Sequence, residues 1–165
     1  MSSPEGSTVS FRRTSPDVRP RALTLFARRL QSEVAKGRPF DTLITTDAEL
    51  RKLNGRYRNL DYPTDVLSFC GADPQVCAGP PGPARPKVGL LPRLGDLAIS
   101  LSRARAQARE FGHTTEQEIR VLMLHGLLHL LGMDHETDRG RMARAERRWR
   151  AHLGLPNGLI ERAPQ

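Results

Sequence analysis

The stretch His125-Gly-Leu-Leu-His129-Leu-Leu-Gly132-Met-Asp-His135 constrains this chain more than any other. It closes a run in which Val121, Leu122, Leu124, Leu127, Leu128 and Leu131 leave almost no polar face, so the helix they form has to be buried. Thr115 as N-cap and Glu118 three residues later read as a capping box, which predicts a helix over 115–131. Two histidines at i and i+4 leave such a helix on one face, about one turn apart. Gly132 then permits a sharp exit, and the chain can reverse to bring His135 back to the same point. A lone buried imidazole is more often a hydrogen-bonded core residue than a ligand. A pair followed by a third beyond a helix-breaking glycine is a metal-binding pattern, with His125, His129 and His135 as the ligands.

Three neutral imidazoles leave a tetrahedral ion one open position, as in catalytic sites, whereas structural sites are closed by four protein ligands. Zn²⁺ held this way, one per chain, lowers the pKa of bound water to about 7, which predicts hydrolysis. A three-histidine set also accepts Ni²⁺ and Cu²⁺. The spacing is that of the metzincin proteases, but the glutamate that follows their first histidine is here Gly126. Loss of that base disfavours peptide cleavage. Asp134, beside His135, could substitute for it, and suits better a carboxylate that orients a ligand. Cys70 and Cys77 lack the short spacing of a ligand pair and are too few for a disulfide scaffold.

The rest of the chain predicts the frame around this helix. Strands are expected at Thr8–Arg12, Phe40–Thr46, Thr64–Phe69 and Leu94–Leu101. Asp17 opens a helical stripe through Val18, Ala22, Leu25, Phe26, Arg29 and Leu30 to about Lys36, and Asp47 caps a second helix bearing Leu50 and Leu53. Helices are expected at about 102–111 and 138–153 as well. Together these give an α/β (α+β) fold, a single mixed sheet of about four strands packed by about five helices. At 165 residues the chain reads as one domain. Residues 71–92 hold six prolines and four glycines and read as a long mobile loop, and 155–165 as a loose tail. No apolar run reaches the roughly 18 residues of a membrane span, and Met1 to Ser10 lack the apolar stretch of a signal peptide. A cytoplasmic protein with no membrane partner is expected.

Charge indicates the partner. Twenty-six Lys plus Arg against 18 Asp plus Glu leave a net +8, and only Lys36, Lys52 and Lys87 are lysines. A GC-rich coding sequence accounts for arginine over lysine but not for the net charge. A polyanion fits such a surface, because phosphate contacts release counterions and need no particular sequence. Eight aromatic residues in all leave little for a base-stacking platform, so sequence-specific reading of bases is not expected.

Four blocks of the sequence, taken in order, resemble the YbeY family: Leu53-Asn54-x-x-Tyr57-Arg58 with Asp61, Pro63-Thr64-Asp65-Val66-Leu67-Ser68-Phe69, Leu94-Gly95-Asp96, and the histidine segment. The resemblance spans about residues 47 to 154. It implies a zinc-dependent endoribonuclease specific for single-stranded RNA, acting in 3′-end maturation of 16S ribosomal RNA and in ribosome quality control with the small ribosomal subunit. It also implies a basic groove for RNA and places Arg58 against a phosphate beside the metal. Cys70 stands where the family usually has proline, and the 71–92 loop is longer and richer in proline than usual. Asp96 matches a family position as well, and a strand aspartate bonding nearby backbone is an equally good reading of it. Glu146 is expected to pair with Arg150 within its helix. Arg141, Arg144, Arg147, Arg148 and Arg150 either track an RNA backbone or form a solvated face. Two other functions compete: a non-catalytic ribosome-assembly factor whose metal braces the helix exit, and a metalloprotease, which Gly126 disfavours.

Overall fold

A computed structural model of the chain describes residues 6–58, 65–70, 93–135 and 137–156. Asp61, Pro63, Thr64, the 71–92 segment with Cys77, and residues 157–165 lie outside the described residues, as do the side chains of Tyr57, Arg58 and Cys70.

The described chain runs β1 (Thr8–Phe11), α1 (Pro20–Glu33), β2 (Phe40–Thr45), α2 (Asp47–Arg58), β3 (Val66–Cys70), β4 (Gly95–Ser100), α3 (Leu101–Phe111), α4 (Thr115–Leu130) and α5 (Arg141–Leu153). Its strands form one mixed sheet in the order β1-β2-β4-β3. β1, β2 and β4 are parallel, with Phe40 opposite Gly95 and Thr45 opposite Ser100, while β3 runs antiparallel to β4 at the edge. This is the α/β class that the interleaving of strand and helix patterns predicts.

Strand side chains alternate between faces, so β4 serves two cores. Leu97 and Ile99 join the larger one with Leu23 and Leu30 of α1 and Leu124 and Leu128 of α4. Ala98 points the other way and packs with Leu50 of α2 and Leu67 of β3. The helix that carries two histidines therefore lies directly on β3 and β4, with α1, α3 and α5 packed against it. Thirteen of its sixteen residues are buried. Among the described residues no helix is long and apolar enough to cross a membrane.

Three expectations shift. The first helix begins at Pro20, not Asp17, because proline supplies a pre-set φ and lacks only an N–H that the first turn leaves unpaired. Its buried stripe is Leu23, Phe26, Ala27 and Leu30, spaced i, i+3, i+4 and i+7, and Leu25 lands on the outside, 61% exposed. The cap of α4 is Thr114 rather than Thr115. The Thr114 hydroxyl accepts from the Gln117 amide at 3.1 Å, and the Gln117 side chain accepts from the Thr114 amide at 2.9 Å. Glu118 is excluded from that box because its carboxylate is buried against the His113 ring. At the other end, Leu155 belongs to the core and not to a tail. Gly154 takes a left-handed conformation, and the Leu155 amide donates back to the Arg150 carbonyl at 2.9 Å, closing a Schellman turn.

Candidate metal centre

The three histidines come together because of how α4 ends. Gly132 sits at φ +90°, where a side chain would be strained, and nothing else crowds it. With that residue left-handed, the Met133 amide donates to the Leu128 carbonyl at 3.1 Å and the Gly132 amide to the His129 carbonyl at 2.9 Å, a second Schellman turn. The turn sends the chain back over the helix end and delivers His135. The Asp134 carbonyl receives the Thr137 and Asp138 amides, and its carboxylate accepts from the Thr137 hydroxyl at 3.2 Å. The Asp138 carboxylate in turn receives the Gly140 and Met142 amides, which ties the exit to the start of α5.

The rings of His125 and His129 have centroids 4.8 Å apart, and the His135 ring lies 5.4 Å from each. One ligand atom from each residue lies within 4.8 Å of the others, and among the described residues this group could hold a metal ion. His125 is buried, His129 half-buried and His135 exposed, so the triangle opens to solvent on one side.

Hydrogen bonding sets the tautomers. Nδ1 of His129 lies 3.0 Å from the Met133 carbonyl, which can only accept, so the proton is on Nδ1. Nδ1 of His125 lies 2.8 Å from the Glu146 carboxylate, which likewise takes the N–H. Both Nε2 atoms are left as lone pairs, and they face each other at 3.2 Å. Two lone pairs at that distance repel unless a cation stands between them. Two nitrogens about 2.05 Å from one tetrahedral ion would be roughly 3.3 Å apart, so the donor set and its spacing fit a metal. Burial, then the neighbouring imidazoles of His125 and His135, push the His129 pKa from 6.5 down to about 4. Its ring is therefore neutral, with its donor pair free, at any pH near 7.

The position after the first histidine is closed by packing. A Cβ on Gly126 would come 2.8 Å from Leu97 and 3.3 Å from both Ser68 and Val66, so this residue faces the sheet. A base placed there, as in a metzincin, would point into the core. The Ser68 hydroxyl of β3 donates to the Gly126 carbonyl at 3.1 Å and fixes the close approach. Gly126→Ala gains about 1 kcal/mol of helix propensity but overpacks a filled interior, a cost of about 1–3 kcal/mol. A net loss of about 1 kcal/mol is expected by urea unfolding, and a stabilised variant would contradict the packing.

The remaining candidates are placed as follows. Asp96 lies one residue along β4 from Leu97, and its carboxylate pairs with Arg93 at 2.6 Å, a guanidinium shared with Asp41. Arg58 closes α2. Glu146, read from the sequence as a helix-surface partner for Arg150, is 2% exposed, and its carboxylate reaches across from α5 to His125. Sequence reasoning missed this contact, and the Met133 carbonyl with it. The signal for Glu146 was available: with Met142, Ala145, Trp149 and Leu153 it stands at i, i+3, i+4, i+7 and i+11 spacing, the inward stripe of α5.

Comparison with known proteins identifies the family. The family model described as "Endoribonuclease YbeY" matches residues 12–154. The "Endoribonuclease YbeY" of Solibacter usitatus is 65% identical over 162 residues, covering 98% of each chain. That of Koribacter versatilis is 40% identical over 141 residues, covering 86% of this chain and 82% of the relative. The solution structure of TM1509 from Thermotoga maritima superposes with a TM-score of 0.52 at 23% identity, covering 88% of this chain and 93% of that one, and shares the fold. With the matched region running from the end of β1 to the glycine after α5, and enclosing all three histidines, the chain belongs to the YbeY endoribonuclease family.

Proposed function

We propose that this protein is a zinc-dependent endoribonuclease that cleaves single-stranded RNA, acting in the cytoplasm on the 3′ end of 16S ribosomal RNA in the small ribosomal subunit. The observation that carries the reading is the pair of Nε2 lone pairs 3.2 Å apart, each freed by a hydrogen bond to its own Nδ1. Zinc on His125, His129 and His135 supplies Lewis acidity and makes water a competent nucleophile near neutral pH. The chain's own groups do the rest. The buried imidazoles hold their donors at fixed spacing, and the exposed His135 edge leaves room for a phosphodiester. Arg58 holds and neutralises that phosphate. Exposed arginines, Arg141, Arg144, Arg147 and Arg148 on α5 among them, attract the RNA backbone.

Purified protein of measured zinc content, incubated with matched single-stranded and duplex RNA, tests the reading. Internal cleavage of the single strand that tracks zinc occupancy is expected. Binding without cleavage at full occupancy would favour the assembly factor with a structural metal. Affinity for single-stranded RNA should fall steeply with salt, with a log–log slope near −0.7 for each phosphate contacted. Affinity that does not change between low and high salt would rule out the electrostatic mode.

A further inference from the structure

We propose that Glu146 is a positioning residue of the three-histidine centre: from α5 it fixes which nitrogen of His125 carries the proton and so reserves Nε2 as a donor. This rests on the reading of those histidines as metal ligands, and goes beyond it by giving α5 a part in the site.

The argument begins with the stripe. Met142, Ala145, Trp149 and Leu153 turn inward on α5, while Arg141, Arg144, Arg147 and Arg148 are exposed. The inward stripe calls for an apolar residue at 146, yet a carboxylate stands there, 2% exposed. Burying that group costs stability unless it is bonded. It meets His125 Nδ1 at 2.8 Å, itself in a side chain 8% exposed. The two other rings are treated differently. His129 is held by a neutral carbonyl of its own helix exit, and His135 is exposed. Among the described residues, His125 is the one of the three shown gripped by an ionic group from a separate helix. A charge-assisted bond of this kind sets the tautomer, restrains ring rotation and makes the far nitrogen a stronger donor. Removing such a partner typically weakens metal binding by about 10- to 100-fold.

Two variants separate positioning from mere packing. Glu146→Leu satisfies the apolar stripe and offers no acceptor. Glu146→Gln keeps the shape and one acceptor but no charge. Three quantities are read on each: zinc affinity by competition with a chelator, the His125 tautomer by imidazole nitrogen NMR of metal-free protein, and the unfolding midpoint. For Glu146→Leu the expected result is loss of the Nδ1–H preference and zinc binding weaker by about 10- to 100-fold, with a lowered midpoint because the buried His125 Nδ1 loses its acceptor. Glu146→Gln should keep the tautomer and fall between the two in affinity. A carboxylate with only a structural role would give a changed midpoint with tautomer and affinity untouched, and that would overturn the proposal. So would an Nε2–H tautomer in the metal-free wild type. If Glu146→Leu does not fold, wild-type zinc affinity in folded Glu146→Gln overturns it and weakened affinity supports it. A wild-type chain that takes up no zinc overturns the metal reading together with this one, whereas normal zinc binding in all variants overturns only the role of Glu146.

Discussion

Alanine at any one of His125, His129 or His135 is expected to take zinc from about one per chain to near zero after dialysis against a mild chelator, and to abolish RNA cleavage. The three variants should differ in what else they lose. His135 is exposed, so His135→Ala removes a ligand at a stability change within about 0.5 kcal/mol beyond the metal's own contribution. His125→Ala takes the imidazole away from the buried Glu146 carboxylate, which costs about 1–3 kcal/mol beyond the metal. Measured against metal-free wild type, an unchanged melting curve in the first and a lowered one in the second is the signature. Elemental analysis and thermal unfolding on the same samples decide it. Full zinc occupancy in all three would refute the ligand assignment.

Arg58→Ala should lower the single-turnover rate of cleavage by on the order of 10²-fold or more, while zinc content and unfolding stay at wild-type values. A guanidinium against the scissile phosphate stabilises charge that grows as the phosphorane forms, so its loss appears in the chemical step. Arg58→Lys should recover only part of the rate, because an ammonium keeps the charge without the planar fork. Neutralising Arg144 or Arg148, exposed on α5, should weaken diffuse binding and leave the rate at saturating enzyme nearly unchanged. The assignment stands on the Tyr57-Arg58 pair at the end of α2 and its match to the family's order. Wild-type single-turnover rates for Arg58→Ala would return Arg58 to the ordinary surface arginines.

What could be read from the sequence was whatever local chemistry decides alone. The end of α4 is one such case: Gly132 has no steric bar to φ +90°, and the turn it allows brings His135 to the helix end. The strands of the sheet were also legible, because Phe40–Thr45 and Gly95–Ser100 are short and centre on adjacent apolar residues, Leu43-Ile44 and Leu97-Ala98-Ile99. Legibility ended where two residues competed for one task. Thr114 and Thr115 are both good caps, and the choice fell to the one whose third neighbour, Gln117, was free to reply, since Glu118 was already engaged by His113. Leu25 was misplaced for a related reason. The segment offers two overlapping apolar stripes, one through Leu25 and one through Leu23, and packing in the core took the one with Leu23, Phe26, Ala27 and Leu30. Glu146 was lost because a carboxylate four residues before an arginine already has a sufficient surface explanation. The stripe of Met142, Ala145 and Leu153 marks its face of α5 as inward, and only tertiary packing shows that this face meets a histidine twenty-one residues earlier.

The unequal depth of the three ligands gives the site a direction of escape. His125 and His129 project from a helix buried against sheet and neighbouring helices, whose amides should exchange with solvent only when the whole molecule opens. His135 is exposed on the turn that follows α4, and surface turns open alone far more often than a core does. An ion held by all three would therefore depart by swinging one imidazole aside rather than by unfolding the protein, and a fresh ion would enter through the same gap. Replacement of one metal by another should consequently proceed at the tempo of that turn, orders of magnitude faster than global unfolding, with the two helix-borne nitrogens waiting in place throughout.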